Sequence, residues 1–173
     1  MKQLLPGSII NSGNSYGIGQ QVHIMTGNDL KILVVDDSSL VRKLIRSELE
    51  TGGYFIEEAA HGFEALAKAS EFPPPDLITL DVEMPKLDGF ETCRKLREKH
   101  YSRFFTNTRD NMVPVIFVTS HDTIEDRKKG FELGAMDFIT KPFKEGVITE
   151  AVNNILRPEN RLMGLTALVV NDN

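Results

Sequence analysis

The sequence has little of several features that mark particular protein classes. Cys93 is the only cysteine in 173 residues, so no disulfide can form within the chain, which fits a reducing compartment. No apolar run approaches the roughly 20 residues of a membrane-spanning helix. Lys and Arg number 20 against 25 Asp and Glu, a net charge of −5, which argues against a surface that coats nucleic acid. We therefore expect a cytoplasmic protein without direct membrane or nucleic-acid contact.

The first 29 residues lack any regular pattern. Pro6 and Gly7 interrupt the short apolar stretch at the start, so a signal peptide is not predicted. Residues 11–29 are rich in Gly, Asn, Ser and Gln and show no apolar periodicity. We interpret 1–29 as a flexible leader.

From Lys31 onward, strand-like segments alternate with helix-like segments. Short β-branched runs bounded by turn residues predict strands at 32–35, 55–60, 77–81, 114–120 and 137–142. Strands that alternate with helices in this way form a parallel sheet with right-handed crossovers and helices on both faces. The sequence therefore predicts an α/β, doubly wound fold with a five-stranded parallel sheet.

The same reading predicts the helices between these strands. The first helix carries one apolar stripe, formed by Leu40, Val41, Leu44, Ile45 and Leu49. The third helix covers about 90–100 and presents a solvated basic face, formed by Arg94, Lys95, Arg97 and Lys99. The fourth helix is predicted to open at Asp122, which stands at capping-box spacing from Glu125.

Polar side chains follow the predicted strands where each strand ends. Ligands of open parallel sheets bind beyond the carboxyl ends of the strands. The first strand ends at Asp36 and Asp37, the third at Asp81, the fourth at Thr119 and the fifth at Lys141. Three carboxylates about 5 Å apart would repel by roughly 3 kcal/mol per pair at an effective dielectric constant of 20. Such a cluster needs a cation or a raised pKa of one carboxyl group. Oxygen ligands alone favour a hard ion such as Mg²⁺.

Each of these residues also has an ordinary structural interpretation. Asp36 and Asp37 alone could cap the following helix, Thr119 could be a common strand-end hydroxyl, and Lys141 could be a solvated surface charge. Taken together at one edge of a parallel sheet, a carboxylate cluster, a hydroxyl and a lysine favour phosphoryl transfer, with Asp81 as the attacking group.

These residues carry a resemblance to a known family. Asp36–Asp37, LDVEMPKLDG at 80–89, VTS at 118–120 and FITKP at 138–142 resemble, in this order, the motifs of the receiver domain of two-component response regulators. The resemblance covers about 30–157 and implies a flavodoxin-like strand order of 2-1-3-4-5.

The resemblance also implies roles for single residues. Asp81 would be the phosphoacceptor, and the Mg²⁺ ligands would be Asp36, Asp37, Asp81 and the backbone carbonyl of Glu83. Lys141, preceding a cis peptide bond to Pro142, would pair with the phosphoryl group. Thr119 would donate a hydrogen bond to that group, and the rotamer of Phe138 would follow Thr119.

The resemblance further implies a phosphoacceptor switch rather than an enzyme with turnover. Its partner would be a sensor histidine kinase or a phosphotransfer protein. The face formed by the fourth helix, fifth strand and fifth helix would change on phosphorylation and could form a homodimer.

Two other functions remain open at this point. A flavin-binding module shares the sheet order, although Asp36 and Asp37 would repel a flavin phosphate at the first strand end. A phosphatase with an aspartyl nucleophile is the second alternative, because Asp81, Val82 and Glu83 have the spacing of a nucleophile and acid pair.

The end of the sequence repeats part of its beginning. Residues 167–173, ALVVNDN, align with ILVVDDS at 32–38. We interpret 158–173 as a linker plus the possible start of a truncated second receiver, in which Asn171 replaces the first acidic residue.

Overall fold

The computed structural model describes residues 30–98, 101, 112–120 and 122–158. The predicted leader at 1–29 lies outside the described residues. So does all but the first residue of the predicted linker and start of a second receiver at 158–173. Most of the predicted connection at 101–112 also lies outside them.

Five parallel strands form the sheet that the sequence predicts. They are β1 (Lys31–Val35), β2 (Phe55–Ala59), β3 (Leu77–Leu80), β4 (Val115–Thr119) and β5 (Asp137–Thr140). Their spatial order is β2-β1-β3-β4-β5, as expected, and every neighbouring pair is parallel. The carboxyl ends of all five strands therefore lie along the same edge of the sheet.

Most residues of the strands are apolar because both faces of the sheet are covered. Within the described residues the helices are α1 (Ser39–Thr51), α2 (Gly62–Ala69), α3 (Gly89–Leu96), α4 (Ile124–Glu132) and α5 (Val147–Leu156). Helices α1 and α5 pack with Ile32 and Val34 on one face. Helices α2 and α3 pack with Leu33 and Val35 on the other. Adjacent residues of β1 thus enter opposite cores.

Helix α1 buries a narrower stripe than the sequence predicts. Ile45 and Leu49 are buried, but Leu40 and Leu44 are 66% and 55% exposed. At about 100° per residue, the predicted stripe covers about 180° of the helix surface. Only the half of this stripe around Ile45 and Leu49 faces the sheet. The prediction that Leu40 and Leu44 belong to the buried stripe is therefore wrong.

The N-cap of helix α4 lies one residue later than predicted. Its N-cap is Thr123, whose hydroxyl accepts the Asp126 N–H at 3.0 Å and donates to the Asp126 carboxylate at 2.6 Å. Asp122 instead binds Arg127 and, at 2.5 Å, the Thr140 hydroxyl on β5. The hydrogen bond from Arg127, helped by that from Thr140, lowers the pKa of Asp122 to about 2. The Asp122 carboxylate therefore links the start of α4 to β5 and does not cap the helix.

Arg97 ends α3 and does not belong to a solvated face. Its guanidinium donates to the carbonyls of Leu133 at 3.1 Å, Val113 at 2.8 Å and Gly134 at 3.1 Å. The helix stops at Leu96, before the predicted end near residue 100. Cys93 in the same helix is fully buried.

Candidate functional site

Three carboxylates meet at the carboxyl edge of the sheet. Asp36 directly follows β1 and Asp81 directly follows β3. One carboxylate oxygen from each of Asp36, Asp37 and Asp81 lies within 4.8 Å of the other two. The parallel register brings Asp36 and Asp81 together, because the residues that precede them, Val35 and Leu80, are paired in the sheet.

Both carboxylate oxygens of Asp36 accept hydrogen bonds. Its side chain is almost fully buried. Oδ1 accepts the Ser38 N–H at 2.8 Å, and Oδ2 accepts a hydrogen bond from Lys141 Nζ at 2.5 Å. Burial raises the pKa of Asp36 above its usual value, and the bond and charge of Lys141 offset only part of that effect.

Asp81 is also buried and fixed by its neighbours. Its N–H donates to the Val35 carbonyl at 2.9 Å, which extends the pairing of β1 and β3 by one step. Oδ2 accepts a hydrogen bond from Lys141 Nζ at 2.9 Å, and Oδ1 accepts the Glu83 N–H at 3.3 Å. The Asp81 carboxylate therefore points into the acidic cluster.

Lys141 places one ammonium group between two aspartates. Its own burial disfavours the charged form, but hydrogen bonds from Lys141 to Asp36 and Asp81 outweigh burial and raise its pKa. When all three carboxylates are ionised, the cluster with Lys141 has a net charge of −2. That charge and the oxygen-only donor set match a divalent hard cation.

Thr119 and Phe138 lie beside the cluster on β4 and β5. Thr119 is fully buried, and its carbonyl accepts the Lys141 N–H at 2.8 Å. The peptide bond from Lys141 to Pro142 is cis, as expected. Phe138 is buried against Phe117, with ring centroids 5.5 Å apart, and the Arg127 guanidinium lies 5.3 Å from its centroid.

The loop after Asp81 requires a glycine at its end. Gly89 donates its N–H to the Val82 carbonyl at 2.9 Å. A Cβ atom on Gly89 would stand 2.1 Å from the Asp81 carbonyl oxygen. Glu83 in this loop is exposed. Its predicted role as a backbone ligand stays a prediction.

Two residues near this edge were missed by the sequence analysis. Arg42 on α1 donates to the backbone carbonyls of Asp36 and Asp37. His61 caps α2, because its Nδ1 accepts the Glu64 N–H at 3.2 Å. The Glu64 carboxylate accepts the N–H of Ala60, the residue before the cap, at 2.8 Å. The spacing of His61 and Glu64 was a usable signal for this cap.

None of the helices in the described part of the chain is both long and apolar enough to cross a membrane.

Comparisons with known proteins point to one family. The family model of the response regulator receiver domain matches residues 32–153. The alkaline phosphatase synthesis transcriptional regulatory protein PhoP of Bacillus subtilis is 43% identical over 127 residues, which cover 73% of this chain and 48% of PhoP. The transcriptional regulatory protein ResD of Bacillus subtilis is 42% identical over 130 residues, which cover 75% of this chain and 49% of ResD.

Solved structures show the same fold. The chemotaxis response regulator CheY4 of Vibrio cholerae is 32% identical, with a TM-score of 0.64, and the match covers 75% of this chain and all of CheY4. The chain spans about half the length of the curated relatives it matches. Neither the flavin-binding nor the phosphatase alternative is favoured by these matches. This chain belongs to the response regulator receiver domain family of two-component systems.

Proposed function

We propose that Asp81 accepts a phosphoryl group from a sensor histidine kinase or a phosphotransfer protein, and that the phosphorylated chain acts as a switch. The observation that carries this proposal is the convergence of Asp36, Asp37 and Asp81 to within 4.8 Å at the carboxyl edge of the sheet. Membership of the receiver family supports the same assignment.

The acidic cluster fits Mg²⁺. We assign the ligands as the carboxylates of Asp36, Asp37 and Asp81 and the backbone carbonyl of Glu83. When bound, the ion would neutralise negative charge on the oxygens of the transferring phosphoryl group. The exposure of Asp37 leaves one side of the cluster open to solvent, and Mg²⁺ in proteins usually keeps several water ligands.

The transfer itself requires little of the protein beyond position and charge. A carboxylate oxygen of Asp81 attacks phosphorus, and the bond from phosphorus to the donor histidine nitrogen breaks. The electron pair of that bond stays on the imidazole, and an acyl phosphate forms on Asp81. Lys141, already 2.9 Å from Asp81 Oδ2, offsets the charge on the phosphoryl oxygens.

The phosphoryl group then supplies acceptors for a change of conformation. Thr119 would donate a hydrogen bond to it, and the side chain of Phe138 on the neighbouring strand would respond. The affected face consists of α4, β5 and α5 and would serve as a homodimer surface. A shift from 1:99 to 99:1 in favour of the phosphorylated conformation requires about 5.5 kcal/mol, which several charge-assisted hydrogen bonds can supply.

The receiver unit would comprise residues 30–157. PhoP and ResD are transcriptional regulators by name. We propose that the signal of this chain also reaches transcription, through a segment or partner other than the receiver unit. Residues 158–173 would form a linker and the start of a second receiver.

A phosphorylation assay tests the proposal. The chain is incubated with a small phosphodonor, such as acetyl phosphate, and Mg²⁺, and its intact mass is measured. The wild-type chain should gain one phosphoryl group, and Asp81→Asn should gain none. Asp137→Asn is the matched control, since Asp137 begins β5 at the opposite edge of the sheet, and it should label normally.

Two outcomes would contradict the proposal. Undiminished labelling of Asp81→Asn would exclude Asp81 as the acceptor. Sustained turnover of a general phosphate ester by the wild-type chain would favour the phosphatase alternative.

A further inference from the structure

Arg42 joins the backbone of the two strand-end aspartates to the edge strand of the sheet. Its Nη1 donates to the Asp36 carbonyl at 2.7 Å and to the Asp37 carbonyl at 3.2 Å. Its Nε donates to the Glu58 carboxylate on β2 at 3.0 Å. Only 15% of the Arg42 side chain is exposed. The Arg42 guanidinium thus links the carbonyls of Asp36 and Asp37 to the Glu58 carboxylate on β2.

Glu58 is a firm anchor for this arrangement. It lies beside Val34 in the register of β1 and β2. Its carboxylate also binds Arg46, one turn further along α1. Burial raises the pKa of Glu58, but the hydrogen bonds from Arg46 and Arg42 outweigh burial and lower it. Glu58 therefore stays ionised and keeps Arg42 in place.

The orientation of Asp37 depends on this backbone contact more than that of Asp36 does. Asp36 is held by Ser38 and by Lys141 through its own carboxylate. The Asp37 carboxylate is exposed and accepts no hydrogen bond from the residues that the structure describes. Without a hydrogen bond from a described residue, this carboxylate takes its direction from the backbone dihedrals of residues 36 and 37, which Arg42 holds.

We infer that Arg42 is a positioning residue for Mg²⁺, which it serves by aiming the Asp37 carboxylate without contacting the ion. This inference rests on the proposed function. Partners that orient metal ligands commonly change metal affinity by 10–100-fold when they are removed.

The direction of the effect separates positioning from simple electrostatics. Removing the positive charge of Arg42 lowers the repulsion of a nearby cation, which by itself would tighten Mg²⁺ binding. Loss of the backbone contact would weaken it. Arg46 offers a matched control, because it binds the same Glu58 carboxylate but contacts neither aspartate carbonyl.

Isothermal titration calorimetry with Mg²⁺ alone tests the inference on the full chain, which contains no tryptophan for fluorescence. We expect Arg42→Gln to weaken Mg²⁺ binding about tenfold, whereas Arg46→Gln leaves it unchanged or slightly tighter. Equal or tighter binding by Arg42→Gln would overturn the inference. Equal weakening by Arg46→Gln would overturn it too, since Glu58 pairing alone would then explain the effect.

Circular dichroism shows whether Arg42→Gln is folded, and a second variant is used if it is not. If Arg42→Gln is unfolded at the assay temperature, Arg42→Lys replaces it. A lysine has a single nitrogen and cannot reach Glu58 and both carbonyls together, so weaker binding is again expected, and unchanged binding overturns the inference. Absence of Mg²⁺ binding by the wild-type chain would instead contradict the metal site of the proposed function.

Discussion

Two buried threonines differ in one respect that decides their effect on stability. Thr79 on β3 lies between Val34 and Ile116 in the sheet, and its hydroxyl has no hydrogen-bond partner among the described residues. The hydroxyl of Thr92 on α3, equally buried, donates to the Asp88 carbonyl at 2.7 Å. On folding, the Thr79 hydroxyl loses its hydrogen bonds to water and gains none from the described residues. The Thr92 hydroxyl gains one in exchange.

Thr79→Val should therefore stabilise the protein by about 1 kcal/mol, because it removes an unsatisfied polar group and keeps a β-branched shape. Thr92→Val, the control, should destabilise it by about 1 kcal/mol. Urea unfolding measures both, with the slope unchanged. A loss of stability in Thr79→Val would show that its hydroxyl is satisfied in solution.

Single residues at the strand ends could be predicted from the sequence because their placement needs only strand type and order. Once β1 and β3 are parallel neighbours, Asp36 and Asp81 must lie side by side. Arg42 and Arg97 could not be predicted in this way. Arg97 reaches carbonyls of residues distant in sequence, and Arg42 reaches the Glu58 carboxylate on β2. These contacts depend on how the helices sit on the sheet.

At the scale of elements, the start of α3 is held against the end of β3 more closely than a side chain allows. We expect Gly89→Ala to destabilise the protein by roughly 2–3 kcal/mol, because the new Cβ would stand 2.1 Å from the Asp81 carbonyl oxygen. The shift of Asp81 that relieves this clash should also slow its phosphorylation. Urea unfolding and the rate of labelling measure the two effects.

Gly53→Ala is the control for this substitution. Gly53 has a φ of +78°, and no atom lies within 4 Å of the position of its Cβ. It should cost about 1 kcal/mol from backbone strain alone and leave the labelling rate unchanged. Equal labelling rates in both variants would show that α3 can move without disturbing Asp81.

The elements themselves could be predicted where one period dominates, as in β4 and α5. The buried residues of α5, Ile148, Ala151 and Val152, have the spacing of one helix face. The start of α4 was wrong because Asp122 and Thr123 are both good caps. Only the position of Thr140 on β5, which binds Asp122, decides between them.

For the whole molecule, the proposed Mg²⁺ site would link ion binding to folding through the acidic cluster. A ligand that binds only the folded state at 100 times its dissociation constant adds about 2.7 kcal/mol to the free energy of unfolding. Mg²⁺ should therefore raise the melting temperature of the wild-type chain relative to a chelator. Asp37→Asn should lose most of this increase, because Asp37 is exposed and its main expected role is to bind the ion.

Differential scanning calorimetry in Mg²⁺ and in a chelator measures this effect. Ca²⁺ at the same ionic strength controls for charge screening and shows how far the site selects the smaller ion. An unchanged Mg²⁺ response in Asp37→Asn would remove Asp37 from the ligand set.

Strand β1 begins and helix α5 ends at the same edge of the sheet, where the amino ends of β1 and β2 lie. Leu30 accepts the N–H of Phe55 at the start of β2. Arg157, after α5, donates to the Gly52 carbonyl and lies 4.4 Å from the Tyr54 ring centroid. The acidic cluster occupies the opposite edge. The domain can therefore be inserted into a host protein through two neighbouring attachment points, and a circular permutant joining residues 30 and 157 would leave Asp81, the proposed phosphoacceptor, uncovered.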